Sequence, residues 1–496
     1  MIWLIAKKEF HDNWISHKIT LAFVLCLVLM TVSLGLAMKD YSDRLSSYSL
    51  SRSEDALFLD RIADYVYYNK EGEHSGESNI GDMIDTIGIY RRPAELSILA
   101  RGLEDRMNRP VRFMDIRKLG FQIQIDPGNK QERNKLFALF SPLDFLFITK
   151  VMLSLLTILF AFSTIAGERE SGTLKLMLSN PVSRGQVLLG KFLGGYASLV
   201  APFLAATLIA LLLVALSPSI ALNGENWMRI TLIILVSLVY IAVFFFIGIA
   251  ISALARRSAT AVLLLLAIWV VLTLVVPNAG WLVAKRVVQV PSEQQIETEQ
   301  FKTARQIEDE AEKKRESQSY LPAYGKYHVE AQPEIKKAVK AIEEDYKALR
   351  QKRLSLSQIL TRFSPVGSYV YATVGLAQTG IEDEKQYYTT LRQVEIDFAA
   401  ESERLLSQTF GDGFNKENPP PSKDDPYAFR AWVVQKSSSI YENFKEGFSS
   451  LFSRTFEKSS LSETLNAIRL DLLLLVLWMG LAFVFATLAV VRCEVR

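Results

Sequence analysis

The sequence has very few of the residues that build metal sites and disulfide frameworks. Among 496 residues there are two cysteines, Cys26 and Cys493, and four histidines. No histidine lies in a His-Glu-x-x-His pattern and no Gly-x-Ser-x-Gly pattern occurs, so a helix-borne zinc protease and a serine hydrolase are not expected. Neither cysteine lies in the long polar stretches, so those stretches must fold through their own cores rather than through disulfides.

A strong charge of either sign is also absent. Lysine and arginine number 56 against 53 acidic residues, which gives a net charge of +3. The two long polar stretches, residues 39–144 and 282–467, carry 16 bases against 18 acids and 26 against 28. A nucleic-acid-binding protein needs a strongly basic face, so nucleic acid is not an expected partner.

Long apolar runs, by contrast, are abundant. Six nearly uncharged runs have 20 to 25 residues each. They cover residues 19–38, 145–166, 192–216, 230–254, 259–281 and 472–491. At about 1.5 Å per residue, each run can cross a hydrocarbon core about 30 Å thick. The sequence therefore predicts an all-α polytopic membrane protein with six transmembrane helices, not an ordinary soluble enzyme.

The distribution of basic residues in the short loops predicts the orientation. Eleven lysines and arginines fall on one side of the membrane if the chain starts in the cytoplasm, whereas the short loop 217–228 on the other side has none. The eleven are Lys7, Lys8, Lys18, Arg169, Lys175, Arg184, Lys191, Arg256, Arg257, Arg492 and Arg496. Because short cytoplasmic loops are enriched in these residues, both termini are expected in the cytoplasm. The predicted location is the plasma membrane, which in bacteria is the cell or inner membrane.

The first 38 residues have two interpretations. A cleavable signal peptide is one, since lysines precede an apolar run that ends near Gly35 and Ala37. The run is longer than the apolar core of most signals, so we favour a retained anchor. Residues 1–18 are then expected to form a cytoplasmic interfacial helix in contact with membrane lipid, because Trp3 and Trp14 suit the headgroup region.

The two long polar stretches are expected outside the cell or in the periplasm as two different domains. In residues 39–144, other residues alternate with Val111 and Phe113 and then with Phe121, Ile123 and Ile125, as in half-buried strands, so a small mixed α/β domain is predicted. Residues 282–467 are mostly helical by composition, with two helices folded back at Pro322 and Gly325. Residues 365–380 are interpreted either as a helix that dips into the outer leaflet or as a buried external helix.

The 167–191 loop between the second and third runs is the most informative stretch. A short helix with apolar residues is expected after a break at Gly172, and a second break follows at Pro181. The candidate functional residues are Glu168, Glu170, Gly172, Thr173, Leu174, Met177, Pro181, Arg184 and Lys191. A charge-flanked apolar helix at the cytoplasmic surface indicates a protein partner. The alternative is a helix that rests on lipid headgroups.

A partial phosphate-binding pattern lies at the end of this loop. Residues 185–191 fit the first seven positions of a P-loop, but Phe192 stands where serine or threonine must ligate Mg²⁺. No strand precedes the pattern, and the helix that follows enters the membrane. We therefore expect no nucleotide, cofactor or metal site on this chain.

The pattern Glu-x-Glu-x-Gly-Thr-Leu, followed by Ser-Asn-Pro-Val-Ser-Arg and Gly-Lys, resembles the loop of ABC-2 type transporter permeases. The long insertions after the first and fifth runs resemble the gliding-motility and nitrous-oxide-reductase-maturation subgroup. The resemblance implies a non-catalytic membrane subunit of an exporter, whose 167–191 loop docks on a separate ATPase that holds ATP and Mg²⁺. It also implies two ATPase copies and a second permease chain, either identical or a paralogue.

The sequence also allows two functions other than transport. The chain is alternatively a membrane-anchored scaffold, or a mechanotransmitting protein whose external domains act on an envelope protein without transport. Lys150 and Asp471 lie near the ends of apolar runs. They are either functional, or they snorkel or pair.

Overall fold

The computed structural model describes residues 1–70, 88–107, 111–116, 120–125, 143–179, 181–316, 326–406, 456 and 458–493. Six of the described helices are long and apolar enough to cross a membrane, which confirms the predicted fold class. The first to sixth spans are Lys18–Ser53, Phe145–Glu170, Arg184–Ala215, Gly224–Leu254, Ser258–Val287 and Leu461–Val491.

Several spans are longer than the apolar runs because polar first turns are capped. At Ser183 the side chain accepts from the backbone of Gln186 and the Gln186 side chain accepts from the backbone of Ser183, so the third span begins at Arg184. Ser460 and Glu463 form the same capping box before the sixth span. Such caps satisfy backbone N–H groups that have no partner within the helix.

The N-terminal helix, Ile2–Ile15, lies across the start of the third span. His17 has a positive φ of 56°, and the chain turns there into the first span. The helix that contains this span runs without a break from Lys18 to Lys70, a length of 53 residues. We call the end of the bundle that carries the N-terminal helix and the 167–191 loop the loop side. The opposite end, which carries the two polar stretches, is the segment side.

The first polar stretch contains a small sheet, as the alternation predicted. Strands β1 (Gly88–Ile89), β2 (Val111–Ile116) and β3 (Gly120–Ile125) pair in the antiparallel order β1-β2-β3. The register pairs Val111 with Ile125 and Phe113 with Ile123.

The second polar stretch begins with a helical hairpin, Glu293–Glu316 and Lys326–Arg362, whose two helices contact each other. The helix Ile381–Leu406 comes later in the stretch and contacts β3 of the first stretch. The break predicted at residues 322–325 and the tail at residues 407–455 lie outside the described residues.

A short inserted helix, Pro365–Leu376, packs against the fourth and sixth spans. Its Tyr369 is fully buried and stacks on Tyr240 of the fourth span at 4.3 Å between ring centroids. The Tyr369 hydroxyl lies 3.0 Å from the hydroxyl of Ser237. The helix is therefore buried, as one of the two interpretations had it, but it lies between the spans rather than in an external domain.

Two spans contain a π-helical turn, Ile148–Leu153 in the second and Val271–Val275 in the fifth. Side chains of neighbouring helices donate to carbonyl groups of these turns. The Tyr240 hydroxyl donates to the Lys150 carbonyl at 2.9 Å, and the Ser364 hydroxyl donates to the Leu272 carbonyl at 2.8 Å. The irregular turns thus attach the second span to the fourth, and the fifth span to the start of the inserted helix.

The two polar stretches meet directly above the spans. The Thr379 hydroxyl donates to the Ala100 carbonyl at 2.8 Å, and the Leu103 N–H donates to the Thr379 carbonyl at 2.8 Å. Beside them, the fully buried Glu104 carboxylate accepts from Arg91 at 2.9 Å. The part of each stretch next to the membrane is therefore one shared structure.

Candidate functional site

The 167–191 loop turns sharply where the sequence predicted a break. Gly172 has a positive φ of 74°, a conformation that glycine adopts without strain, and it caps a short helix, Thr173–Leu178. The Thr173 hydroxyl donates to the Glu168 carbonyl at 3.3 Å and lies 2.9 Å from the Ser171 hydroxyl. These short-range contacts hold the helix close to the end of the second span.

Lys191 and Glu168 form the centre of a buried ion network. The Lys191 amine lies 2.6 Å from a Glu168 carboxylate oxygen and 2.7 Å from one of Glu9. Lys8 lies 3.6 Å from the same Glu168 oxygen. Because the Lys191 side chain is only 3% exposed, its charge depends on these carboxylates for compensation. The network joins the second span, the third span and the N-terminal helix.

The glycines around Lys191 explain how the N-terminal helix comes this close. A Cβ atom on Gly194 would lie 2.4 Å from the Ala6 carbonyl oxygen, and one on Gly190 would lie 2.7 Å from the Cβ of Ile5. One turn further along, Asn13 donates to Ser198 at 3.2 Å. The Gly-Lys pair of the P-loop-like pattern thus lies in a helix crossing, with its lysine bound to carboxylates.

Glu170 and Arg169 attach the loop to the fourth and fifth spans. Glu170 accepts from the backbone N–H of Ser258 at 3.0 Å and from its hydroxyl at 2.7 Å, which caps the start of the fifth span. Arg169 donates to the carbonyls of Ala255 and Ala253 at 2.8 and 3.1 Å, where the fourth span ends. Sequence reasoning did not single out Arg169 as a contact, because its partners lie more than 80 positions away.

Arg184 attaches the loop to the sixth span. Its guanidinium donates to the carbonyls of Val490 and Cys493 at 3.2 and 3.0 Å, and also to that of Val491. The last carbonyls of a helix have no partner within it, so a cation there is favourable. With these bonds the loop and its flanking residues contact the second, third, fourth, fifth and sixth spans.

The apolar residues of the short helix divide between the interior and the surface. Leu174 is only 4% exposed and belongs to the core of this chain, Met177 is half-buried, and Leu176 is 70% exposed. Pro181 is also exposed. The sequence spacing predicts Leu174 and Met177 on one face of the helix, and both are less exposed than Leu176. Spacing alone does not tell which face points inward. The outward apolar residue is Leu176.

Two arginines on the segment side, Arg229 and Arg362, form contacts that were not anticipated. Arg229, fully buried, donates to Glu225 at 2.8 Å, to the Ser459 carbonyl at 2.6 Å and to the Thr464 hydroxyl at 3.0 Å. Arg362, which is half-buried, pairs with the buried Asp471 at 2.7 Å. Among the described residues, no group of histidine, cysteine and acidic side chains is arranged to hold a metal ion.

Comparisons with known proteins agree with this architecture. The sequence profile of the ABC-2 family transporter proteins matches residues 3–408. A probable ABC transporter permease protein NosY of Pseudomonas aeruginosa is 43% identical over 70 residues, 14% of this chain and 26% of that protein. The NosY of Stutzerimonas stutzeri is 51% identical over 43 residues, 9% of this chain and 16% of that protein. The matches thus span about a quarter or less of these relatives, whereas the profile spans most of the chain. The chain belongs to the ABC-2 family of transporter proteins.

Proposed function

We propose that this chain is the permease subunit of an ATP-binding-cassette exporter and that a separate ATPase drives it through the 167–191 loop. The observation that carries the proposal is the set of bonds made by this loop and its flanking residues. The N-terminal helix is bound by Glu168 and Lys191, the fifth span by Glu170, and the sixth span by Arg184. A force applied to the loop therefore acts on several spans together.

The orientation in this proposal puts the loop side in the cytoplasm. The eleven basic residues of the termini and short loops support it, because lysine and arginine are retained on the cytoplasmic side. The segment side then faces outward, where the two polar stretches receive or release the substrate. Export is the direction that the family resemblance supports.

The ATPase contact in this proposal is the outward part of the short helix. Leu176 and Pro181 are exposed, Met177 is half-exposed, and Lys175 supplies a charge at the edge. ATP and Mg²⁺ are held by the ATPase, and this chain contributes no catalytic residue. Two ATPase copies act on two permease chains, identical or paralogous. Closure of the ATPase pair selects between two arrangements of the spans.

A second candidate function is mechanotransmission to an envelope protein, without passage of a substrate. The contacts of the hairpin favour mechanotransmission. Its second helix ends at Arg362, which forms a two-bond ion pair with the sixth span, and the nearby Ser364 donates a hydrogen bond to the fifth span. ATPase turnover stimulated by an envelope protein, with no substrate accumulated in proteoliposomes, would favour this function over export.

The test of the coupling contact is Leu176→Asp, with Leu349→Asp in the hairpin as the matched control. Both leucines are exposed, so neither change empties the core of the described structure. Co-purification of the ATPase and its stimulated hydrolysis are measured. Leu176→Asp is expected to weaken both by at least tenfold, because interface energy is concentrated in a few anchors. Equal ATPase binding by both variants would reject the contact. Leu174→Asp is unsuitable, since it places a charge in the core.

A further inference from the structure

Three exposed cations form a collar on the segment side, at the junction of the fifth span and the hairpin. Lys285 and Arg286 lie in the last turn of the span, and Lys352 lies on the second hairpin helix. The two helices pack closely, since a Cβ atom on Gly280 would lie 2.7 Å from the Thr361 hydroxyl. The collar is therefore held on two helices of one packed unit.

On the fifth span, each cation follows an exposed apolar residue on the same face. Trp281 precedes Lys285 by four residues, and Leu282 precedes Arg286 by four. Residues four apart are neighbours on a helix surface. Both apolar side chains are exposed, at 41% and 61%, on the span that is least buried inside the protein. The described protein leaves this apolar face uncovered, and the cations stand one turn beyond it.

The hairpin helix repeats the arrangement. Ile359 is 54% exposed, and Phe363, directly after the helix, is 70% exposed. Lys352 lies seven residues before Ile359, on the same face. Seven residues of helix place Lys352 about 10 Å further from the bilayer centre. The base of the hairpin therefore has an apolar part level with the lipid chains and a cationic part above it.

A tryptophan marks the boundary between the two parts. The Arg353 guanidinium lies 5.1 Å from the centre of the Trp281 ring, a cation–π distance. Tryptophan is enriched where hydrocarbon gives way to headgroups. The three cations thus fall in the headgroup zone, which is about 5–8 Å deep on each side.

The collar cations are not neutralised by the described protein. Within the described ranges, no ion pair or hydrogen bond is formed by Lys285, Arg286 or Lys352. Two other cations of the second hairpin helix are paired: Lys347 with Glu343, and Arg362 with Asp471 of the sixth span. Three unneutralised positive charges in the headgroup zone match the negative charge of lipid phosphates.

We propose that this collar binds the phosphate groups of anionic lipids in the leaflet on the segment side. The lipids hold the base of the hairpin at the membrane surface. Each cation near an anionic surface strengthens binding by roughly fivefold. The site does not depend on transport or on the ATPase, and it lies opposite the side where the short loops concentrate their basic residues.

The test uses the full chain in mixed phosphatidylcholine–phosphatidylglycerol vesicles. A headgroup-photoreactive analogue of either lipid is added in trace amount, and labelled peptides are mapped by mass spectrometry. The phosphatidylglycerol analogue is expected to label residues 281–289 and 348–356 several-fold more than the phosphatidylcholine analogue. Replacing the three collar cations by glutamine is expected to lower that labelling at least fivefold. The control replaces three exposed hairpin lysines away from the membrane, Lys302, Lys337 and Lys340.

Four outcomes would overturn the proposal. Equal labelling by both analogues would mean that the region merely touches the bilayer. Labelling that survives the triple glutamine change, or that falls equally in the control, would remove the collar as the cause. In cells, a photoreactive side chain at position 352 that forms a protein adduct in place of a lipid adduct would identify a protein partner.

Discussion

Arg362 and Asp471 join the end of the hairpin to the sixth span across 109 residues of sequence. The guanidinium donates through Nε at 2.7 Å and through Nη2 at 3.1 Å to the two carboxylate oxygens, and the Asp471 side chain is almost wholly buried. A two-bond pair of this kind fixes both distance and orientation. The last turn of the hairpin therefore follows the sixth span.

Removing one member of this pair should destabilise the protein more than removing both. Arg362→Met leaves the buried Asp471 carboxylate without its partner, which costs about 3–5 kcal/mol in comparable buried pairs. Arg362→Met combined with Asp471→Leu leaves no such charge and should be closer to the wild type. The stabilities of the wild type, the single variant and the double variant are compared by thermal unfolding of the purified proteins. A double variant less stable than the single one would show that the charges themselves are needed.

Lys191 should hold the N-terminal helix in place. In Lys191→Met, Glu9 and Glu168 lose their shared cation, and two carboxylates face each other in a buried site. Hydrogen exchange of residues 2–15 should rise by at least tenfold. Lys175→Met, at an exposed position, is the matched control. Unchanged exchange in the Lys191 variant would mean that apolar contacts alone hold the helix.

The helix crossing predicts a difference between two glycines of the third span. Gly194→Ala places a Cβ atom 2.4 Å from the Ala6 carbonyl oxygen, whereas Gly185→Ala meets no atom within 4 Å. The first change should cost about 1–3 kcal/mol through overpacking. The second should be neutral or slightly stabilising, since alanine favours helix. The stability of both variants is measured by thermal unfolding. Equal changes in stability would contradict the close approach of the two helices.

Asp383 should make stability depend on pH. Burial raises the pKa of its carboxyl group, against the opposing effects of hydrogen bonds from Ser459 and the Gly380 N–H and of the charges of Arg91 and Arg229. The folded state therefore favours the protonated acid. The resulting contribution to the free energy of unfolding is complete below the ordinary pKa of about 3.9. It is lost as the pH rises through the raised pKa of the folded state.

The variant Asp383→Asn should lack that dependence. The difference in melting temperature, wild type minus variant, should fall as the pH is raised from acid to neutral. A difference that is constant over this range would show that Asp383 titrates alike in the folded and unfolded states.

The proposed orientation can be tested with single cysteines. The two native thiols are buried, so they contribute little background to labelling. Ser47 is exposed on the segment side and Ser179 on the loop side. In intact cells a membrane-impermeant maleimide should label Ser47→Cys but not Ser179→Cys, and lysis should expose the second. The opposite pattern would invert the topology.

The sequence was a good guide wherever the signal was local. Apolar runs located all six spans, and the alternation at residues 111–125 located β2 and β3. The burial of Leu174 could not be predicted, because periodicity defines a face but not its neighbour. One of the two partners of Lys191 was missed for a similar reason, since Glu9 lies 182 positions away and only the helix crossing brings it near.

The unbroken helix from Lys18 to Lys70 has a geometric consequence. At 1.5 Å per residue its 53 residues are about 80 Å long, so about 50 Å extends past a hydrocarbon core about 30 Å thick. A rotation of about 5° around a pivot at the bilayer surface moves the far end sideways by about 4 Å. Changes of tilt too small to open a gap between the spans would thus be magnified into displacements larger than an atomic diameter.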